Sequence, residues 1–172
     1  MRRGALLVLL LLFVGVVSSA RGAAGSPGSG PRVTVFGDSV AGSLAYVPEA
    51  RDLLGDGLDL RLELAPCRRV ASVGCPYMGT RPPSVLDVVR PSSPAELGDI
   101  VVVDVGYNES SAGYQSGMRD VVQALVARGV GHVIWLTMRE QTDNYKQTNS
   151  AIRAEASRWP QVEVADWDTA SR

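Results

Sequence analysis

The chain has a single histidine, His132, in 172 residues. Serine is a weak nucleophile unless a base stands beside it, so any serine chemistry here has one imidazole to draw on. Cysteine is almost as scarce, with only Cys67 and Cys75. Two cysteines without histidine or acidic neighbours make no metal site, and their spacing is not the C-x-x-C of a redox pair. Excess positive charge is missing too: 17 basic residues face 18 acidic ones, a net charge of -1. With no basic cluster, nucleic acid is excluded as a partner. No apolar run reaches the roughly 20 residues that a membrane-spanning helix needs.

What is present begins with a targeting signal. Arg2 and Arg3 precede an apolar stretch, Ala5 to Val17, broken only by Gly15, and Ser18-Ser19-Ala20 offers small residues for cleavage. Residues 1–20 therefore read as a secretory signal peptide, with an uncleaved anchor as the competing reading and the only route to a membrane. The flanks of Arg2-Arg3 lack a twin-arginine pattern, and no cysteine follows to take a lipid. Residues 21–31, rich in Gly, Ala, Ser and Pro, read as a flexible mature N-terminus. Residues 32–172 suit one domain. Losing residues 1–20 removes two arginines and leaves 15 basic against 18 acidic groups, a net charge of -3. The expected location is secreted or cell-envelope. In that oxidising setting Cys67 and Cys75 are expected to form a disulfide closing a short loop.

Apolar runs then alternate with helical patterns. Strands are expected at 32–36, 58–64, 100–105, 132–137 and 162–165. The runs at 100–105 and 132–137 are continuous rather than alternating and read as buried on both faces. Helical patterns occupy 40–54 (interrupted at Pro48), 84–89, 114–127 and 143–159. Met118, Val121, Val122, Leu125 and Val126 share one face of the third, which Gly129 closes. Strand and helix in alternation give a three-layer α/β/α sandwich on a five-stranded, mainly parallel sheet of flavodoxin-like order. Ligands bind such sheets at the carboxyl ends of the strands. The chain places its unusual polar residues there: Asp38-Ser39, Gly106-Tyr107-Asn108-Glu109, Arg139-Glu140-Gln141 and Asp166-Trp167-Asp168.

The run Val33-Thr34-Val35-Phe36-Gly37-Asp38-Ser39 takes an apolar strand into a glycine turn that presents a serine. Its hydroxyl and its own N–H would face one site, where the N–H and a helix dipole favour a developing oxyanion. The competing reading is a helix cap. In Gly106-Tyr107-Asn108, glycine permits a tight turn and the Asn108 amide can donate to the same oxyanion, the competing reading being an Asx turn.

Together the two motifs resemble those of the SGNH (GDSL-like) hydrolases, over about Arg32 to Asp168. Gly37-Asp38-Ser39 is similar to the family's nucleophile block, and Gly106-Tyr107-Asn108-Glu109 to its G-x-N-D block, with Glu109 where the family has Asp. The resemblance implies an acyl-ester hydrolase with Ser39 as nucleophile. It implies an oxyanion hole from the Ser39 N–H, Asn108 and a glycine after the second strand, Gly74 or Gly79, with Gly74 favoured. No metal or organic cofactor is implied, and the substrate would be a small ester or an acylated carbohydrate. The family's Asp-x-x-His is missing: three residues after Asp168 stands Ser171. His132 begins its strand about 15 Å from Ser39, at roughly 3.3 Å per residue. The expectation is a fragment, incomplete at its C-terminus and nearly inactive as written.

Three alternatives compete with this reading. In an α/β-hydrolase, the serine elbow follows a strand deep in the sheet, not the first one. A receiver domain would use Asp104 but needs an acidic pair after the first strand; Asp104 reads instead as a residue that bonds loop backbone. A secreted, non-catalytic binding protein would use the same crevice, with Arg139, Glu140, Tyr107 and Trp167 contacting its ligand.

Overall fold

The computed structural model describes residues 30–172. The expected signal peptide and nearly all of the segment 21–31 lie outside the described residues. Five strands form one sheet: β1 (Arg32–Gly37), β2 (Asp59–Leu64), β3 (Ile100–Asp104), β4 (His132–Leu136) and β5 (Val162–Ala165). Every pairing is parallel and the order is β2-β1-β3-β4-β5. This is the flavodoxin-like order expected from the sequence, with no antiparallel strand. The register sets Gly37 beside Leu64 on one side and Asp104 on the other, so the loops after β1, β2 and β3 leave the sheet at one level.

The helices begin where the sequence supplies partners for their free N–H groups. Pro48 opens α1 (Pro48–Gly55), after a short 3-10 helix at Ala41–Ala45. Ser84 and Asp87 form a reciprocal capping box at α2 (Val85–Val89), and Ser93 and Glu96 form another at α3 (Pro94–Leu97). α4 spans Tyr114–Ala127. Thr142 caps α5 (Asp143–Ala156) by accepting from the Tyr145 N–H. A last short helix, α6, spans Trp167–Ala170. The α3 and α6 turns are too short to show a helical period and were not expected.

The core lies on one face of the sheet. Phe36, Val101, Val103, Val133 and Trp135 pack there against Met118, Val121, Val122 and Leu125 of α4, with Val85 and Val89 of α2 and Ile152 of α5. The opposite face corrects the expectation that β3 and β4 are buried on both sides. Val101 and Val103 are fully buried, but Ile100, Val102, Ile134 and Leu136 remain partly exposed. Among the described residues only the 3-10 helix, α1 and Trp167 border this face, leaving an apolar groove of about 530 Å³. A run of valines reads the same from sequence whether one face or both are covered, because the covering elements lie elsewhere in the chain.

α4 and α5 are clamped together by one acid. Glu155 is fully buried. It accepts from Arg119 through both oxygens (2.9 and 2.8 Å), from Gln115 Nε2 (3.1 Å) and from Trp159 Nε1 (3.1 Å). Those donors, Arg119 foremost, hold its carboxyl down at about 2.

Candidate active site

Ser39 lies two residues past the end of β1 and is exposed. It is not a helix cap: the residue before the 3-10 helix is Val40, and no side chain caps that helix. The cap reading of the sequence is therefore set aside. Among the described residues the Ser39 N–H and hydroxyl donate to no other protein group.

The turn carrying Ser39 is held by Asp38, whose side chain is wholly buried. Its backbone N–H donates to the Asp104 carbonyl (3.2 Å). Its Oδ1 accepts from the Val40 N–H (2.9 Å). Its Oδ2 accepts from the Gly106 N–H (3.2 Å), the Tyr107 N–H (3.1 Å) and the Asn108 Nδ2 (3.3 Å). One carboxylate thus ties the Ser39 turn to the Asn108 loop. Burial pushes the Asp38 carboxyl up, and the donors around it pull the other way. The sequence reading gave the role of loop-backbone acceptor to Asp104. The structure gives it to Asp38, and the Asp104 carboxylate forms no hydrogen bond among the described residues. An acid immediately after a buried strand was the available signal, but its partners lie about 70 positions away.

Asn108 uses one amide hydrogen on Asp38, leaving the second free for a ligand. Its carbonyl accepts from Arg69 Nε (2.9 Å). Gly106 makes the tight turn before it: a Cβ there would sit 2.8 Å from Met138 Sδ. Glu109 bonds outside its own loop: its Oε1 accepts from the Val70 N–H (2.9 Å), its other oxygen is buried without a partner among the described residues, and burial pushes its carboxyl up to about 7. Asp104 is pushed up to about 6 by burial and by the charge of Asp38.

Cys67 and Cys75 are joined by the expected disulfide. Its loop holds Gly74, which is buried; a Cβ there would meet Pro82 Cγ at 2.7 Å and the Cys67 carbonyl at 2.8 Å. The Gly74 N–H has no acceptor among the described residues, and the next residue, Cys75, places its Sγ 3.9 Å from Asn108 Oδ1. Gly79 lies instead at an open turn, with nothing near its Cβ position.

The loops after β4 and β5 bond to each other and to the Asn108 loop. Tyr107 Oη accepts from the Arg139 N–H (3.0 Å), and its ring meets Tyr145 edge-on. Glu140 Oε1 accepts from Asn149. Asp168 accepts from the Glu140 N–H (2.8 Å) and from Arg172 (2.6 Å), so both its oxygens are engaged. The Glu140 N–H, then Arg172, hold its carboxyl below the usual range. Asp166 is taken by Thr137, Arg153 and the Thr169 N–H, and Trp167 borders the apolar groove. His132 is the first residue of β4, opposite Ile100, at the end of the sheet away from Ser39.

The strand order and the polar ends of β1, β3, β4 and β5 define an α/β protein of flavodoxin-like order with a hydroxyl and an amide donor at its carboxyl edge. No protein-family profile matches the chain, and no curated protein matches it in sequence. Among solved structures it is similar to the salicylyl-acyltransferase SsfX3 from a tetracycline biosynthetic pathway. The identity is 16% and the TM-score 0.57, covering 82% of this chain and 43% of that one. It is also similar to a family two carbohydrate esterase from Cellvibrio japonicus. There the identity is 14% and the TM-score 0.51, covering 79% of this chain and 52% of that one. The chain thus spans about half the length of these two proteins, with which it shares an esterase-like fold.

Proposed function

We propose that this chain carries the nucleophile and oxyanion loops of a secreted serine esterase of the SGNH (GDSL-like) type. The observation that supports it most is the Asp38 carboxylate, bonded to Val40 on one side and to Gly106, Tyr107 and Asn108 on the other. That arrangement fixes a free hydroxyl and a free amide hydrogen relative to each other, as an acyl-transfer site requires.

In this reading Ser39 Oγ attacks the ester carbonyl, and the carbonyl oxygen takes up the electron pair of the C=O bond. The Ser39 N–H, the free Asn108 Nδ2 hydrogen and the Gly74 N–H stabilise the oxyanion, each worth roughly 3 kcal/mol in such a setting. Its collapse expels the alcohol and leaves an acyl group on Ser39, which water removes. The proton from Ser39 needs an imidazole, which residues 30–172 do not place near it. The chain's single histidine, His132, is not that base, so a histidine that is not among residues 1–172 is part of the proposal. The substrate is an acyl ester, small or borne on a carbohydrate. The names of the two structural relatives agree with this, on the fold alone.

The test supplies the missing base. Hydrolysis of 4-methylumbelliferyl acetate by the chain is measured with and without added imidazole, beside its Ser39→Ala variant. We expect negligible turnover alone and imidazole-dependent turnover that Ser39→Ala lacks. Equal rates for the two proteins at every imidazole concentration would overturn the reading. That result would favour the second one, a secreted binding protein with an esterase-like crevice, for which the full engagement of Asp168 speaks.

A further inference from the structure

The segment just past the disulfide loop carries a feature that ester cleavage does not use. Tyr77 and Thr80 exchange both backbone hydrogen bonds (2.8 and 3.0 Å), closing a two-residue turn on Met78 and Gly79. Both turn residues have positive φ, 47° at Met78 and 79° at Gly79. Such turns favour Asn-Gly, because asparagine tolerates the left-handed region and methionine does not. Met78 is nevertheless there, with 87% of its surface in solvent, and in the same segment Val73 is 61% and Tyr77 46% exposed. This choice of residue is unfavourable twice, in backbone strain and in exposed apolar surface, and such outliers point to function. The Cys67–Cys75 disulfide stands at the base of this apolar finger, beside Asn108.

Charge identifies the partner. From Leu64 to Leu86 the chain has three arginines and no acid, in a protein whose net charge is -1. Arg68 is buried, 3.8 Å from Glu63. Arg69 and Arg81 donate only to carbonyls, those of Asn108 and Gly74, and neither joins an ion pair among the described residues. Arg81 is exposed one residue past the turn. An aliphatic tip with a cation behind it matches the order of layers in an anionic lipid surface, hydrocarbon beneath negative headgroups. A sugar would favour aromatic faces, and here Val73 and Met78 lead.

We propose that the Val73–Arg81 finger docks the protein on an anionic lipid surface, with Val73, Tyr77 and Met78 entering the interface and Arg81 meeting the headgroups. The docking goes beyond the esterase reading and does not depend on it. If that reading also holds, the surface presents substrate at the side of the crevice lined by Gly74 and Asn108.

The experiment is co-sedimentation of the full chain with phosphatidylcholine vesicles, pure or containing phosphatidylglycerol. The native chain should bind the anionic vesicles on the order of tenfold more strongly, and Arg81→Gln should reduce that preference several-fold. Met78→Asn creates the favoured Asn-Gly turn, so its Tm should hold or rise while vesicle binding falls about tenfold. Two results overturn the proposal: native binding that ignores phosphatidylglycerol, or Met78→Asn binding like the native chain. Because each variant shares the apolar N-terminal stretch, attachment through that stretch alone would leave them indistinguishable. Vesicle binding needs no catalysis, so failure of the imidazole test leaves this result standing.

Discussion

Replacing Glu155 by glutamine tests the clamp between α4 and α5 quantitatively. The carboxylate is buried and accepts from Arg119, Gln115 and Trp159, which lowers its carboxyl from 4.5 to about 2. At 1.36 kcal/mol per unit, that difference is worth about 3 kcal/mol of folding stability. The folded value lies below the unfolded one, so this contribution is complete above about pH 5 and disappears as pH falls through about 2. Glutamine keeps the shape but turns an N–H₂ toward the Arg119 guanidinium. Leaving that partner uncompensated should cost about 3 kcal/mol at pH 7, somewhat less than breaking a fully buried pair because Arg119 is part-exposed. The assay is urea unfolding followed by tryptophan fluorescence, for native and Glu155→Gln chains, from pH 7 down to pH 2. The gap between them should be about 3 kcal/mol at pH 7 and close toward zero near pH 2. A gap that is constant with pH, or below about 1 kcal/mol at pH 7, would show that the clamp is ordinary packing rather than a charge held by its donors.

Two further substitutions address the site. Asp38→Asn removes half of the acceptor capacity that holds the Ser39 turn to the Asn108 loop, and should cost about 2–3 kcal/mol in urea unfolding. It should also speed hydrogen exchange at Gly106 and Tyr107, and unchanged exchange there would refute the latch. Asp104→Asn should act in the opposite direction. Its carboxyl is raised from 3.8 to about 6, so ionisation opposes folding and stability falls as pH rises through that range. The variant should gain up to about 3 kcal/mol at pH 8 and nothing near pH 4; equal effects at the two pH values would sink this account.

The parts of the fold fixed by local pattern were legible. The 3.6-residue period placed a helix on Tyr114–Ala127 and the apolar run placed a strand on Val162–Ala165, and both bounds match the structure. The disulfide followed from spacing and compartment. What the sequence concealed was pairing at a distance. Whether Val102 and Ile134 are covered depends on α1 and Trp167, which are remote in sequence. Glu155 sits in a polar stretch of α5 and looks like a solvated face; its burial depends on Arg119, 36 positions away.

The proposed oxyanion donors show the same limit more sharply. From sequence, the Asn108 amide is an expected donor beside the Ser39 N–H and Gly74. In the structure Asp38 accepts from the Gly106 and Tyr107 N–H groups. It also takes one hydrogen of the Asn108 amide and leaves the other. The amides of Ser39 and Gly74 stay without an acceptor among the described residues. A buried acid beside an oxyanion looks unfavourable, since like charges repel at close range in a poorly screened site. In the proposed site its effect is instead to hold the donors that must not move, so that the remaining ones are aimed before substrate arrives. Preorganised dipoles need no reorientation as charge develops. The Asp38→Asn variant should therefore weaken imidazole-dependent hydrolysis by more than its loss of stability explains. If turnover per folded molecule were unchanged, the carboxylate would be a structural tie and nothing else.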